Sequence, residues 1–316
     1  MNLFFFKLYF LLFICSFIQF KCEGQERTWH GILNENLIND MNFFVKNQQY
    51  DEIIRMLHIQ QKKDFLNVGI FYDLACMYAL KGDTINAFSY LYQSFGSENY
   101  AENILTDTDF ENLYSSEQWC HLLDSLNVRY LKENEGIKDA ALSIKLWRLG
   151  VEDQRFRTWR KNYKKKLPNN FTPETALLMK NEKRNAKIRA RYVITLLKNR
   201  QSWFLYSEVG MRASLSALYI IQHSPGTKYL KYTLPFLKNA VGKEQELGKA
   251  YAVMLDRYLV RSGKKQEYGT HWYRNAKGTY LYAVRDIQKL NERRASMGLN
   301  NIEDELQKHR IHLPID

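Results

Sequence analysis

The sequence is poor in the residues that interrupt secondary structure, with 5 prolines and 15 glycines among 316 residues. Neither residue forms a run, so the sequence offers no low-complexity linker and excludes a collagen-like or proline-rich chain. Hydrophobic residues make up 45% of the chain and aromatic residues 14%. This composition is sufficient to bury a core in each of two ordinary domains, and we expect a folded chain rather than a disordered one.

Cysteine is also scarce, with 4 in the chain. Two of them, Cys15 and Cys22, lie in the first 24 residues, so Cys76 and Cys120 alone do not make a disulfide framework. Cys76 stands between Ala75 and Met77 in an apolar stretch, which predicts a buried, inert thiol. A bridge between Cys76 and Cys120 is the alternative. No metal-ligand spacing involves either residue, and we predict no metal site.

Several well-known catalytic patterns are missing from the sequence. It contains no Gly-x-Ser-x-Gly, no phosphate-binding loop, no dinucleotide-binding glycine pattern and no His-Glu-x-x-His. Hydrolase, nucleotide-dependent and zinc-protease assignments therefore lack their usual support, and we predict no cofactor. Whether the chain is an enzyme stays open on these grounds.

The first 24 residues are typical of a secretory signal peptide. The apolar run Leu8–Ile18 follows Lys7, and the small-residue stretch that ends at Gly24 comes after it. The run is short for a membrane span, which needs about 20 apolar residues. We expect export to the periplasm or the extracellular space, with an uncleaved anchor beginning at Leu3 as the alternative.

Charge is distributed unevenly along the chain, whose formal net charge is +12. Residues 25–154 carry 11 Lys and Arg against 20 Asp and Glu, whereas residues 155–200 carry 15 against 2. Such a basic belt attracts anions, and in an exported protein an anionic envelope component is a more natural partner than nucleic acid, which we do not expect. The alternative is a solvated helical face without a partner.

One internal repeat is present in the first half, at an offset of 34 residues. The aligned positions of the two copies are Leu37, Met41, Phe44, Gln48, Ile53 and Leu57, then Phe71, Ala75, Tyr78, Gly82, Ala87 and Leu91. This pattern resembles the tetratricopeptide repeat, which implies antiparallel helix pairs over residues 25–135. Gly82 and Asp83 suit the end of one helix and the start of the next. The first copy departs from the pattern at Gln48 and Ile53. The resemblance implies either a peptide- or protein-binding surface or a scaffold.

Residues 136–316 form the second predicted domain. Leu142, Leu146 and Leu149 make a helical apolar stripe, and Thr172-Pro173 marks another helix start. One β-hairpin is expected near residues 267–284, around the turn Asn275–Gly278. The predicted fold class is therefore mainly α, with a short stack of helical hairpins packed on a second helical domain that holds one small β-hairpin.

This half contains a set of short polar motifs: Asp153-Gln154-x-x-Arg157, Gln222-His223, Asp256-Arg257, Gln266-x-Tyr268-Gly269-Thr270-His271 and Arg293-Arg294. Over roughly residues 140–310 these motifs resemble an uncharacterised bacterial family, a domain of unknown function. The sequence departs from the family pattern at His271, where we expect glutamine. The resemblance implies no activity.

These motifs supply the candidate site residues. His223 and Asp256 lie on apolar helices, where a polar group needs a partner. One hypothesis is a His223–Asp256 pair of base and orienting carboxylate, with Tyr268 as proton donor and Arg257 or Gln266 holding an anionic substrate. The candidate binding residues are Asp153, Gln154, Arg157, Arg257, Gln266, Thr270 and His271. The alternative is that these residues tie the hairpin to the helices. We accordingly carry two hypotheses: an exported interaction protein of the cell envelope, and an enzyme built on this polar site.

Overall fold

The computed structural model of the chain describes residues 29–96, 100–166 and 173–313. The predicted signal peptide and Thr172, at the predicted helix start, lie outside these ranges. The described chain is mainly helical with one small sheet, which confirms the predicted fold class. Two compact units divide it: the first takes in the chain up to Glu135 together with Gln154–Leu178, and the second takes in Gly136–Asp153 and everything from Met179 onward.

The first unit is built from helical hairpins. Its helices are α1 Glu35–Lys46, α2 Tyr50–Lys63, α3 Val68–Lys81, α4 Thr84–Gln93, α5 Tyr100–Thr106 and α6 Glu117–Glu133, with 3-10 turns at Ser94–Gly96 and Thr108–Leu113. Capping side chains explain where several helices begin: Asn34, Asp83 and Ser116 accept hydrogen bonds from the backbone N–H groups of Leu37, Asn86 and Trp119.

The turn between α3 and α4 forms as the sequence predicts. Gly82 ends α3 in the left-handed conformation with φ of 89°, and Asp83 caps α4. The small residues Ala75 and Ala87 are fully buried between the helices, as is Cys76. Cys76 and Cys120 do not form a disulfide, so the alternative bridge is absent, and the predicted burial of Cys76 is confirmed.

The second unit contains longer helices and the sheet. Its helical elements are the first part of α7 Ala140–Lys166, most of α8 Pro173–Arg200, α9 Tyr206–Val209, α10 Met211–His223, α11 Lys228–Val241, α12 Gly248–Arg261, α13 Leu290–Ser296 and α14 Ile302–His309, with 3-10 turns at Gln245–Leu247 and Ile287–Lys289. Leu146 from α7 is fully buried in a core shared with α8, α10, α11 and α12. Burial of each such leucine contributes roughly 1.5–3 kcal/mol.

The sheet has three strands in the order β1 Trp272–Asn275, β2 Gly278–Leu281 and β3 Ile311–His312. β1 and β2 form the predicted antiparallel hairpin, and β3 adds a parallel edge that the sequence did not predict. The first strand begins at Trp272 rather than Glu267, because the backbone N–H groups of Glu267, Tyr268 and Thr270 bind the Asp256 carboxylate instead of a neighbouring strand.

No helix within the described ranges is both long enough and apolar enough to cross a membrane.

Candidate functional site

His223, at the C-terminal end of α10, pairs with Asp153 on α7. The Nδ1 atom of His223 and the Oδ2 atom of Asp153 form a hydrogen-bonded pair, with 18% of the histidine side chain exposed and 1% of the aspartate. Because an ionised carboxylate only accepts hydrogen bonds, this contact places a proton on Nδ1 and leaves the lone pair of the neutral ring on Nε2. The predicted pairing of His223 with Asp256 is therefore wrong. The carboxylate that orients the His223 ring belongs to Asp153.

Asp153 is held from its other side by a buried arginine. The Nη2 atom of Arg189, on α8, lies 3.5 Å from the Oδ1 atom of Asp153. The same Nη2 atom donates a hydrogen bond to the carboxylate of Glu182. All three side chains are almost wholly buried. Charged groups are tolerated in such surroundings when they are paired, and Arg189 supplies the opposite charge beside Asp153. We call Glu182, Arg189, Asp153 and His223 the His223 site.

Two buried donors beside the His223 site lack a hydrogen-bond acceptor in the part of the chain that the structure describes. They are the Nε atom of Arg189 and the Nε2 atom of Gln222, the residue before His223. Their side chains are 7% and 3% exposed. An unsatisfied buried donor costs about 1–3 kcal/mol, and such donors are commonly satisfied by water or a ligand. Both would donate hydrogen bonds to a ligand rich in oxygen atoms.

Asp256 on α12 binds the loop that precedes the sheet. Its carboxylate accepts hydrogen bonds from the backbone N–H groups of Glu267, Tyr268 and Thr270, and from the hydroxyl of Thr270 at 3.0 Å. Burial raises the pKa of Asp256, and these hydrogen bonds oppose that shift. Since every donor points at the carboxylate, Asp256 acts as an ionised acceptor that fixes the loop. This agrees with the structural alternative considered for it.

Gln266 has the same kind of role. Its side chain is fully buried and bonds the backbone of His271 at both ends, with Nε2 donating to the carbonyl at 2.9 Å and Oε1 accepting from the N–H at 2.7 Å. Nε2 also donates to the carbonyl of Tyr282 at 3.0 Å. The amide is therefore occupied by backbone groups and holds His271 in place.

His271 ends a hydrogen-bonded chain that begins at Asp256. The single hydroxyl proton of Thr270 goes to Asp256, so at the 2.9 Å contact between Thr270 Oγ1 and His271 Nδ1 the ring must donate. The lone pair of His271 therefore lies on Nε2. Burial, followed by the charges of Arg257 and Arg261, lowers the pKa of His271 to about 4. We call Asp256, Thr270, His271, Arg257 and Arg261 the His271 site.

Arg261 connects the two sites. Its guanidinium donates to the carbonyl oxygens of Gln222, Ser224 and Gly226, the backbone on either side of His223, at 2.9–3.0 Å. The same cation lowers the pKa of His271. Arg261 thus touches the turn that carries His223 and acts electrostatically on His271, so the second unit brings both histidines to one arginine.

The remaining predicted residues are placed differently. Tyr268 is buried against the ring of Tyr251, and burial raises its pKa to about 12, which makes its hydroxyl a poor proton donor. Gln154 and Arg157 follow Asp153 on α7, are half-buried and group with the first unit. Of the residues proposed for catalysis, His223 alone has the geometry of a base.

Sequence reasoning missed Glu182, Arg189 and Arg261. One signal for Arg189 was available: Ala186, Ala190 and Val193 form an apolar stripe on α8, and Arg189 falls inside it. A lone cation in an apolar stripe needs a buried anion. Arg261 gave no such signal, because an arginine in the last turn of a helix is common on electrostatic grounds alone.

One group in the first unit has metal-ligand chemistry. Cys76, Asp107 and Asp109 place one ligand atom each within 4.8 Å of one another. Asp107 already accepts hydrogen bonds from the Tyr72 hydroxyl at 2.8 Å and from the Asp109 N–H at 3.0 Å. These contacts explain the arrangement without an ion. Sequence spacing could not reveal the group, because Cys76 and Asp107 lie on separate elements.

Comparison with known proteins adds one match to this geometry. Residues 172–310 match a family of unknown function, DUF6624. No curated protein and no solved structure matches the chain. The match confirms the predicted domain of unknown function and includes His223, Asp256 and His271, whereas Asp153 lies before it. The tetratricopeptide interpretation of the first half stays a prediction.

Proposed function

We propose that the second unit performs general acid–base chemistry on an anionic small molecule, with His223 as the proton-transferring residue. The observation that carries the proposal is the hydrogen bond between His223 and the wholly buried Asp153. A carboxylate on Nδ1 fixes the ring orientation and stabilises the imidazolium that forms when Nε2 takes a proton. Asp153 is then a positioning residue.

The charges around His223 favour an anionic substrate. Arg261 lies against the turn at His223, and Arg257 is one helical turn away on α12. The buried donors on Arg189 and Gln222 add hydrogen-bond capacity for oxygen atoms. Guanidinium groups bind carboxylate and phosphate oxygens with good geometry, so a substrate that carries one of these groups fits this surface.

The test measures turnover by the full chain with p-nitrophenyl phosphate and p-nitrophenyl acetate, together with labelling by diethyl pyrocarbonate, which acylates neutral imidazole. We expect His223→Ala to reduce any turnover by about 100-fold or more, and Asp153→Asn to slow both turnover and labelling of His223. His309→Ala is the matched control, because His309 also pairs with a carboxylate, Glu305, but on the surface. Turnover that survives His223→Ala contradicts the proposal.

We propose in addition that the first unit binds a protein or peptide partner, as its resemblance to the tetratricopeptide repeat implies. The supporting observation is a cluster of four half-buried rings, His58, Phe71, Tyr78 and Tyr90. Tyr78 and Tyr90 stack with centroids 5.5 Å apart, and Phe71 stacks on Tyr90 at 6.4 Å. Rigid aromatic surfaces with polar edges are common at protein interfaces.

The partner-binding proposal is tested by capture from envelope extract with the immobilised full chain. We expect Phe71→Ala combined with Tyr90→Ala to lose a specific captured protein, whereas Tyr92→Ala, which removes an exposed ring from the same helix, retains it. Capture of the same proteins by all three chains contradicts a role for the rings. Export itself is tested by sequencing the N-terminus of the mature protein, which we expect to begin near Gly24.

A further inference from the structure

His223 is the last residue of α10, and the backbone beyond it cannot continue the helix. Pro225 has no N–H group to donate. The carbonyl groups in the last turn of a helix find no donor within the helix. Both donors of Ser224, its N–H and its hydroxyl, bind the carbonyl oxygen of Ile221, at 3.2 and 2.7 Å. The carbonyl of Gln222 therefore needs a donor from another element.

Arg261, the last residue of α12, supplies that donor. Its Nη2 atom donates to the carbonyl oxygen of Gln222 at 2.9 Å. Its Nη1 atom donates to the carbonyl oxygens of Ser224 and Gly226 at 2.9 and 3.0 Å. One guanidinium thus binds the backbone immediately before and after His223. Because its N–H groups form a rigid planar fork, it fixes the three carbonyls relative to one another, which a single ammonium group cannot do.

The hydrogen bond between His223 and Asp153 depends on the position of this turn. Asp153 lies on α7, 70 positions earlier in the chain, so the two side chains meet only while the end of α10 keeps its place. The His223 ring also stacks on Tyr219, one helical turn earlier, with centroids 6.1 Å apart. Fraying of the last turn would separate His223 from Asp153, and a displacement of about 1 Å can lower a catalysed rate about 100-fold.

We propose that Arg261 is a positioning residue of the His223 site. It holds the C-terminal turn of α10 so that His223 keeps its hydrogen bond to Asp153, and with it a single tautomer. Arg261 acts through backbone carbonyls and needs no contact with reacting atoms. Its effect on turnover rests on the acid–base function proposed above, whereas its effect on the His223 ring does not.

The first measurement is the tautomer of His223 in the full chain, read from two-bond ¹H–¹⁵N correlations of the ring at a pH where the ring is neutral. In the unaltered chain we expect the proton on Nδ1 and a lone pair on Nε2. Arg261→Lys keeps the charge and loses the fork. We expect the ring of this variant to leave Asp153 and to carry its proton mainly on Nε2, as an unconstrained neutral histidine does. A ring that stays in the Nδ1–H tautomer overturns the proposal.

Arg293→Lys is the matched control. Arg293 also binds three backbone carbonyls, those of Glu267, Arg285 and Asp286, but in the segments that flank the sheet. If Arg261 served stability alone, both variants would melt at a lower temperature and the His223 tautomer would change in neither. We expect the tautomer to change in Arg261→Lys and to stay unchanged in Arg293→Lys. The same change in both variants contradicts a specific role for Arg261.

Turnover of p-nitrophenyl phosphate and p-nitrophenyl acetate is the second measurement. We expect Arg261→Lys to lower kcat by about tenfold or more, with KM changed by less than about twofold because the charge is retained. A higher KM at an unchanged kcat would make Arg261 a substrate-binding residue and contradicts the proposal. Turnover that survives His223→Ala removes the acid–base function, and the tautomer then decides on Arg261 alone.

The unaltered chain provides a test that serves if Arg261→Lys does not fold. Because both Nη atoms of Arg261 are held by carbonyls, rotation of the guanidinium should be slow. We expect separate, slowly exchanging Nη proton resonances for Arg261. A single averaged resonance would show that the three hydrogen bonds do not persist in solution, and it overturns the proposal.

Discussion

At the scale of single residues, His271 couples the stability of the second unit to pH. Its folded pKa is about 4, against an ordinary value of 6.5. At pH values between these two, His271 is protonated in the unfolded chain and neutral in the folded chain. Its contribution to the free energy of unfolding is therefore fully present above about pH 6.5 and decreases as the pH falls toward 4. The full loss approaches about 3 kcal/mol.

Chemical denaturation of the unaltered chain and of His271→Gln at pH 7.5 and pH 4.5 measures this effect. We expect the unaltered chain to lose up to about 3 kcal/mol more than the variant on acidification, because glutamine does not titrate. Other groups, including Asp256, titrate in both chains and cancel in the comparison. A parallel decline in the two chains contradicts a neutral, buried His271.

Asp256 and Asp153 are both buried aspartates beside a segment that carries a histidine. We nevertheless expect replacement of each by asparagine to have a different effect. Asp256→Asn places an amide N–H₂ among four donors, which leaves buried groups unsatisfied and should lower the free energy of unfolding by about 3 kcal/mol. Labelling of His223 by diethyl pyrocarbonate should stay close to that of the unaltered chain at a temperature where both are folded. Reduced labelling of His223 in Asp256→Asn speaks against a purely structural Asp256.

At the scale of elements, the turn after α1 and the turn after α3 differ in the residue that adopts the left-handed conformation. Gly82 ends α3 with φ of 89°, while Gln48, after α1, adopts φ of 56° with a side chain present. An L-residue in this left-handed region costs roughly 1–2 kcal/mol relative to glycine. We therefore expect Gln48→Gly to raise the free energy of unfolding by about 1 kcal/mol.

The reciprocal change is the matched control. A Cβ atom at Gly82 meets no atom within 4 Å, so Gly82→Gln tests the backbone conformation without a steric clash. Thermal unfolding should show a lower melting temperature for Gly82→Gln and a higher one for Gln48→Gly. Changes of the same sign in both variants contradict the assignment of the effect to φ.

The basic belt can be tested on α8. Its exposed cations include Lys180, Lys183, Arg184, Lys187 and Arg191, and each lysine or arginine near an anionic bilayer contributes about 1 kcal/mol of attraction. We expect Lys183→Glu with Lys187→Glu to weaken binding to phosphatidylglycerol vesicles by about tenfold or more. Lys231→Glu with Lys238→Glu on α11 changes the net charge equally, and equal weakening by both pairs indicates a nonspecific charge effect.

The elements themselves were predictable because their signals are local. The α3–α4 hairpin follows from periodic apolar residues, Gly82 and the capping Asp83, all within 34 residues of chain. The strand β3 was not predictable, since it pairs with a partner about 30 residues away and is two residues long. The start of β1 was predicted too early because the backbone of residues 267–270 binds a distant carboxylate.

In the candidate site, too, local features were predictable from the sequence and long-range pairings were not. Sequence motifs singled out His223, Asp153 and His271, but the choice of Asp153 over Asp256 as the partner of His223 depends on a contact between residues 70 positions apart. Propensity and periodicity carry no information on such pairings. Arg189, fixed by Asp153 and Glu182, is visible only once α7 and α8 are in place.

At the scale of the whole molecule, the matched family segment and the folded unit begin at different residues. The match begins at residue 172, whereas the second unit also includes Gly136–Asp153. Leu146 in that segment is fully buried in the core of the unit, and the Ser143 hydroxyl donates to the carbonyl of Val209. Gly150 lies so close to α10 that a Cβ atom there would be 2.2 Å from Ser216 Oγ.

A fragment that begins at residue 172 should therefore fold poorly. It lacks Leu146, whose removal alone costs about 2–5 kcal/mol when a cavity is left. It also lacks Asp153, which leaves His223 without its buried anion and Arg189 with Glu182 alone. We expect a fragment of residues 136–316 to unfold cooperatively with heat and a fragment of residues 172–316 to show no cooperative transition, as followed by near-ultraviolet circular dichroism. If the two fragments had the same melting temperature, the first part of α7 would not be needed for folding. Asp153 would then not be required to build the structure around His223.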